Sequence, residues 1–234
     1  MSLPQRVKEW LLDLIFPLAC AGCNAEGALL CGECRQTLER RPPSCFVCHL
    51  RNFSGVLCAA CGSATHLRRF IAPLSYRDPR VRELVHQFKY GGVRSLAEMF
   101  GDEIASHLAA YRIRFPQNSV LVPIPLHPSR QRERGFNQSA LIAEAVGRRA
   151  GLRVAPLLIR CRRTDPQVGM HSHEERRRNV ADTFSVRQPA ETISGKRVIL
   201  VDDVATSGAT LAEAARVLRE AGARSVSALA VARG

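Results

Sequence analysis

The sequence predicts an α/β protein with a mostly parallel sheet, preceded by a small cysteine-rich module. Three observations carry that expectation. Eight of the nine cysteines fall in four Cys-x-x-Cys pairs, all within the first 61 residues. From Phe70 onward, apolar runs of strand length alternate with stretches of helical periodicity, the pattern of strands joined by crossover helices. The clearest runs, Val120 to Pro125 and Val198 to Val201, are continuously apolar, as in strands covered on both faces. With 46% hydrophobic and 24% charged residues in 234, the chain is globular; disorder and collagen-like repeats are excluded.

The elements follow in order. Phe70 to Tyr76 reads as a strand. Pro79 opens a helix with Val81, Leu84, Val85 and Phe88 on one face, which Gly91-Gly92 stops. A second helix from about Val93 to Ala110 carries Leu96, Phe100, Ile104 and Leu108. The Val120 to Pro125 strand leads to a helix from about Asn137 to Ala150, ended by Gly151. A short strand near Pro156 to Ile159, an arginine-rich segment to Asp182 and a strand near Thr183 to Val186 come next. Arg197 to Asp203 is the strongest strand, Ala209 to Ala221 a helix closed by Gly222, and Ser225 to Ala232 a last strand. Residues 1–67 are set apart as the module and 68–234 as the α/β domain. The first segment is broken by Pro42-Pro43 and too poor in apolar runs to build a core of its own.

The formal charge is +13, from 34 Lys+Arg against 21 Asp+Glu, and only Lys8, Lys89 and Lys196 are lysines. A surplus made of arginine suits bidentate contact with phosphate, so nucleic acid or a phosphorylated small molecule is the expected partner class. The apolar stretch from Trp10 to Ala19 is interrupted by Asp13 and Pro17 and falls short of the ~20 residues that span a bilayer, so no membrane insertion is expected. Closely spaced thiols imply a reducing compartment, hence a cytoplasmic location.

Two knuckles supply the four ligands of a tetrahedral zinc ion, so eight cysteines fit two closed, structural sites. Sequential pairing puts Cys20, Cys23, Cys31 and Cys34 on one ion and Cys45, Cys48, Cys58 and Cys61 on the other. A cross-braced pairing is the alternative; the sequential one closes shorter loops. Each ribbon is expected to fold for itself, apart from the rest of the molecule. With two Zn²⁺ and eight thiolates the formal charge falls to about +9. His49 and His66 are read as exposed neighbours of the knuckles.

The most informative stretch is Val198-Ile-Leu-Val-Asp-Asp-Val-Ala-Thr-Ser-Gly-Ala-Thr-Leu211. An apolar strand delivers Asp202 and Asp203 to its carboxyl end, where ligands of open α/β sheets bind. The loop that follows offers amides from Ala205, Thr206, Ser207, Gly208, Ala209 and Thr210, hydroxyls, and the N-terminus of a helix, a cradle for phosphate. Two carboxylates repel a polyphosphate but accept well from a sugar diol. Diol acceptors followed by a phosphate cradle describe a ribose 5-phosphate site. Neither a Walker loop nor a dinucleotide fingerprint is present.

This run resembles the phosphoribosyl-pyrophosphate motif of type I phosphoribosyltransferases. The whole chain resembles the ComF family associated with natural competence. That resemblance rests on the Cys-x-x-Cys knuckles, Leu84-Val-His-Gln-Phe-Lys-Tyr90, Val122-Pro-Ile-Pro-Leu-His-Pro-Ser-Arg130, Arg132-Glu-Arg-Gly-Phe-Asn-Gln138 and Arg176-Arg-Arg-Asn179. Ala205 and Ser207 depart from the residues usual in the family. The resemblance implies a type I phosphoribosyltransferase fold and a pyrophosphate loop around Leu126 to Arg130, with His127, Arg130 and Lys89 as candidate pyrophosphate contacts. It also implies a hood within Arg160 to Asn179, Mg²⁺ bound with phosphoribosyl pyrophosphate, and Asp202 and Asp203 as catalytic residues. Phe136 is read as a packing anchor.

Phosphoribosyl transfer passes through an oxocarbenium-like state while pyrophosphate leaves, so water must be excluded and the leaving charge stabilised. The arginines of the 130–134 and 160–178 segments suit that task, and they are also the expected contacts for single-stranded DNA. The favoured reading is a ComF-type protein that binds phosphoribosyl pyrophosphate and single-stranded DNA during DNA uptake, with a DNA-uptake helicase as a further partner. A metabolic nucleobase phosphoribosyltransferase, and a non-catalytic zinc-ribbon adaptor with a sugar-phosphate sensor site, stay open beside it. No residue announces itself as the selector of a base.

Overall fold

A computed structural model describes residues 18–162, 180–187 and 193–234. Its main sheet contains strands β1 (Arg69–Ile71), β2 (Leu74–Ser75), β3 (Ser119–Pro123), β4 (Arg153–Val154), β7 (Arg197–Ala205) and β8 (Ser225–Arg233). Every pairing in it is parallel, in the order β1-β8-β7-β3-β4, with β2 also on β8. β5 (Leu158–Arg160) and β6 (Phe184–Val186) form a separate antiparallel pair.

Alternation along the strands builds two cores. Ile199 and Val201 of β7, Leu121 of β3 and Leu229 and Val231 of β8 face one side. There they meet helices α3 (Pro79–Tyr90), α4 (Leu96–Ala110) and α6 (Gln138–Ala150) through Leu84, Phe88, Phe100, Ile104, Ile142 and Val146. Val198, Leu200, Val120, Val122, Ala228 and Ala230 face the other side and meet α7 (Ala209–Glu220) through Leu211, Ala214 and Leu218. Helices α4 and α6 approach closely at Gly101, where an added Cβ would stand 2.7 Å from that of Ala145.

Several expected elements shift. The strand expected over Phe70 to Tyr76 is broken into β1 and β2 at Pro73, whose ring nitrogen has no hydrogen to give; its carbonyl accepts from the Arg41 amide instead. The loop after β3 contains a short helix, α5 (Pro128–Arg134), opened by its proline and closed by left-handed Gly135. The strand expected near Pro156 to Ile159 is β5, outside the main sheet, and the edge is filled by β4. β7 and β8 outlast their expected ends because they pair with each other as far as Ala205 and Arg233.

The cysteine-rich segment, with its short helices α1 (Gly32–Gln36) and α2 (Ala59–Thr65), does not stand apart. It wraps the β1/β2 edge of the sheet. Arg40 bridges to Leu74 and Val56 to Arg69, both antiparallel, and the amides of Leu57, Phe70 and Ser75 complete the seam. Leu38 enters the first core, while Phe46, Leu57 and Leu67 enter the second. An edge left open would expose a row of unpaired backbone groups.

Polar ties hold the seam. Arg35 and Arg40 both reach the buried Glu103 carboxylate on α4, at 2.7 and 3.1 Å. Asp78 caps α3 by accepting from Arg80 N–H and also accepts the Glu39 amide, and Arg80 continues to the carbonyls of Cys34 and Thr37. The hydrogen bonds from Arg80, aided by the two amides against the penalty of burial, hold the Asp78 carboxyl down at about 2. Replacing Asp78 with alanine removes a cap and leaves the Glu39 amide without its partner. The expected loss is about 1–3 kcal/mol in urea unfolding at neutral pH. Because its folded pKa is depressed, Asp78 contributes fully above about pH 4 and loses its contribution as the pH falls toward 2. The wild-type and Asp78→Ala stability curves should therefore converge in that window.

Candidate functional site

β7 is the middle strand of the sheet, and its carboxyl end carries Asp202 and Asp203. Three elements converge on the pair. Lys89, in the last turn of α3, places Nζ 2.8 Å from Asp203 Oδ1. Ser139, in the first turn of α6, donates through Oγ to Asp202 Oδ1 at 3.0 Å, and the Asp203 amide donates to the same oxygen. Asn137 makes this possible. Its Oδ1 caps α6 by accepting the Ser139 amide, and its Nδ2 donates to the Ile124 carbonyl just past β3. Phe136 is buried against Phe88, with the Arg94 guanidinium over its ring, so it serves as a packing anchor.

Burial, together with the neighbouring Asp203 charge, pushes the Asp202 carboxyl up to about 7, against the pull of Lys89. Burial works to lower the Lys89 ammonium, but the charge and hydrogen bond of Asp203, with the charge of Asp202, leave it raised. Arg160 on β5 is lowered by burial and by nearby Arg130, and feels Asp202 as an attractive charge. The carboxylate pair thus has Lys89 in contact and Arg160 within electrostatic reach.

Leu126, His127 and Arg130 lie half-buried between β3 and the start of α5. The His127 Nδ1 is turned inward as the cap of α5, 2.7 Å from Ser129 Oγ and accepting the Ser129 amide. Arg134 is engaged with Tyr90, lying over its ring and donating to its hydroxyl, and with Gln138. Of the expected hood, Arg160 and Arg162 are described. Arg163, Pro166, Gln167, His171, His173 and Arg176 to Asn179 lie outside the described residues.

Past Asp203, β7 runs on through Ala205. Thr206 is exposed, Ser207 Oγ accepts the Ala209 amide, and Gly208 turns the chain into α7 at φ +74°. That left-handed angle favours glycine, and a Cβ there would collide with the ring of Phe46. Phe46 belongs to the second knuckle. Its ring is tilted against that of Phe70, with centroids 4.2 Å apart, and lies under the Arg233 guanidinium, which donates to the Phe46 carbonyl and, at 2.8 Å, to His49 Nδ1. A cavity of about 720 Å³ lies between this knuckle and the loop Thr206–Ala209, with Arg77 and Arg233 on its wall. The ribbon and the loop Thr206–Ala209 therefore share a wall. Neither Phe46 nor Arg233 could be found from local sequence, since they are brought together only by the ribbon's position on the sheet edge.

The cysteines gather in two clusters, Cys20, Cys23, Cys31 and Cys34, and Cys45, Cys48, Cys58 and Cys61, each with its sulfurs within 4.8 Å of one another. This is the sequential pairing, and the donor sets are those of a closed tetrahedral zinc site. Amide N–H groups of Cys31, Cys23 and Gly22 lower the Cys20 thiol to about 6. In the second cluster burial opposes the amides of Cys48, Cys58 and Val47, and these still lower Cys45 to about 6. Such amides stabilise thiolates, the form that binds metal. His49 and His66 take left-handed backbone conformations beside the second knuckle and are not part of either cluster.

Comparison with known proteins agrees with this geometry. Residues 137–234 match the phosphoribosyl transferase domain family. Competence protein ComFC of Bacillus subtilis is 30% identical over 212 residues, 81% of this chain and 83% of that one. Competence protein F of Haemophilus influenzae is 27% identical over 92% of this chain and 90% of its own length. Among solved structures, glutamine phosphoribosylpyrophosphate amidotransferase from B. subtilis is 24% identical over 59% of this chain, at a TM-score of 0.40, and the chain spans about a quarter of its length (26%). On the relationship to ComFC the chain belongs to the ComF family, with a phosphoribosyltransferase-type α/β fold and two four-cysteine clusters able to hold zinc.

Proposed function

We propose that this protein binds phosphoribosyl pyrophosphate, or a related ribose phosphate, and acts with single-stranded DNA during DNA uptake. The observation that carries the first part is the carboxyl end of β7. It presents two carboxylates, already held by Lys89 and Ser139, directly before a glycine-turned loop at the N-terminus of α7. In this reading Asp202 and Asp203 accept from the ribose hydroxyls and stabilise positive charge developing on the sugar. Amides and hydroxyls from Ala205 to Thr210 take the 5-phosphate. Leu126, His127, Arg130 and Lys89 would face the pyrophosphate, whose charge a Mg²⁺ bound with the ligand would help to neutralise. The competence names of the relatives support the second part, as does the arginine surplus. Among the described residues no helix is long and apolar enough to cross a membrane.

Calorimetry with phosphoribosyl pyrophosphate, with and without Mg²⁺, tests the site. Loss of one charged diol acceptor should cost about 1.5–3 kcal/mol, roughly one to two decades in affinity. Unchanged binding by an Asp202→Asn, Asp203→Asn double variant would remove the assignment. The raised carboxyl of Asp202 sets the pH dependence. Its charged form is disfavoured, so it takes up a proton as the pH falls through about 7 and ceases to be a charged acceptor. Wild-type affinity should rise between about pH 6 and 8. Asp202→Asn should abolish that rise, and Asp203→Asn, by removing the like charge, should move it to lower pH.

Metal analysis should return two zinc ions per chain, one for each cluster. Because Phe46 follows Cys45 and stands on Gly208, Cys45→Ser should weaken sugar-phosphate binding as well as lower the melting temperature. Loss of stability with full retention of phosphoribosyl pyrophosphate affinity would show that the shared wall has no energetic consequence for the loop.

A further inference from the structure

Because the main sheet is parallel, its strands all begin at one end, opposite the end where Asp202 and Asp203 emerge. That far end is a row of cations. Arg68 and Arg69 stand at the start of β1, Arg224 at β8, Lys196 and Arg197 at β7, and Arg153 at β4. Ser225, at the start of β8, pairs with Arg197, which pairs with Ser119 of β3; Arg153 pairs with Val120. With strands about 4.8 Å apart, five strands set these groups along roughly 19 Å.

Three adjoining cavities, of about 200, 490 and 430 Å³, open along the row, and among the described residues no Asp or Glu lines any of them. None of these cations forms an ion pair among the described residues. Among the described residues, two polar groups are buried there without a partner: the Ser119 hydroxyl, on a residue 2% exposed, and the Arg69 Nε. Burial and the Arg68 charge lower the Arg69 guanidinium, as expected where positive charge is crowded and not neutralised.

The ordinary role of arginines at such an end is to serve the carbonyls of helix C-termini. Arg219 does this, donating to Ala223 and Arg224 carbonyls after α7. Arg68, Arg153 and Arg224 do not; their side chains are exposed and make no hydrogen bond among the described residues.

Beside the row, near the start of β3, lies an apolar cavity of about 320 Å³ walled by Leu108, Ile113, Phe115, Val146 and Leu152, with Arg114 and Phe115 also lining the first cavity of the row. Its size suits one aromatic heterocycle. Single strands are bound where a basic track follows the backbone and aromatic or apolar surface receives unpaired bases. A duplex keeps its bases stacked and would leave the cavity unfilled.

We propose that this row binds the phosphodiester backbone of a single-stranded nucleic acid, with an unpaired base entering the cavity beside Phe115. The inference rests on the DNA reading above and moves its contact surface away from the crevice arginines to the opposite end of the sheet.

The test is anisotropy of a labelled oligodeoxythymidine strand with the full, zinc-loaded chain, titrated between about 50 and 200 mM salt. A triple variant, Arg68→Gln, Arg153→Gln and Arg224→Gln, should bind at least about tenfold more weakly at the lower salt. Its log K against log salt slope should shrink by about 2, the share of three phosphate contacts. Phe115→Ala should weaken binding with the slope unchanged, which marks lost base contact rather than lost charge. Phosphoribosyl pyrophosphate affinity should stay at the wild-type value in the triple variant, and that control also reports correct folding.

Wild-type behaviour of the triple variant, with binding lost instead in Arg130→Gln, Arg132→Gln, would overturn the row and keep the DNA reading. No strand binding by the wild type would overturn both. Tighter binding of duplex, or of phosphatidylglycerol vesicles, than of the single strand would overturn the choice of ligand.

Discussion

The cysteine-rich segment has too few apolar residues to enclose a core, and this shortage governs how the molecule is put together. Metal-binding loops fix local backbone but bury little hydrocarbon, so Leu38, Phe46, Leu57 and Leu67 complete their burial inside the two cores of the α/β body. The open edge of the sheet is where they can reach both. By bridging to β1 and β2, the segment also covers an edge that would otherwise invite pairing with another chain. Its first cluster lies by α3 and α4, tied through Arg80 and Glu103; its second stands against α7 and the loop Thr206–Ala209. Gly208 then has two reasons to be glycine, its left-handed backbone and the aromatic ring pressed on it.

The electrostatics of the crevice follow from placing two adjacent carboxylates at the end of a buried strand. Side by side and desolvated, they cannot both ionise freely. Lys89, a compact point charge, settles on Asp203, and Asp202 is left with hydrogen bonds from Ser139 and the backbone. The charged form of Asp202 is the one disfavoured. On the proposed function, a ligand whose hydroxyls donate to the pair would couple its affinity to the ionisation of Asp202.

Much of this was legible in the sequence because it is local. Two ligand pairs separated by a short loop specify a four-cysteine cluster, and an apolar run followed by Asp-Asp and a small-residue loop specifies a strand end and a helix start. Continuous apolarity identified β3 and β7 as strands covered on both faces. What escaped depended on contacts distant in sequence or on competition between short-range preferences. Pro73 splits a strand because a missing N–H outweighs an apolar pattern. α5 hides in a polar, arginine-rich stretch with no apolar face to mark it. Ser139 reads as an ordinary helix residue until the crossover brings it to Asp202. The adjacency of Phe46 and Gly208 spans more than half the chain.

The parallel sheet also explains why a strongly basic chain can place an acidic pair at its centre. Helix α7 starts where β7 ends, so its N-terminal N–H groups point into the crevice and favour an anion there. The last turns of α4, α6 and α7 lie at the opposite end, where exposed carbonyls favour cations; His107, Arg148, Arg149 and Arg219 occupy those turns. Of these, Arg148 and Arg149 are neutralised by Glu98 and Asp102 on α4. The arginines at the strand starts receive no such neutralisation from the described residues. Backbone polarity thus accounts for cations gathering at that end, but not for the lack of carboxylates among the described residues there. On the proposal made above, that uncompensated charge serves a polyanion.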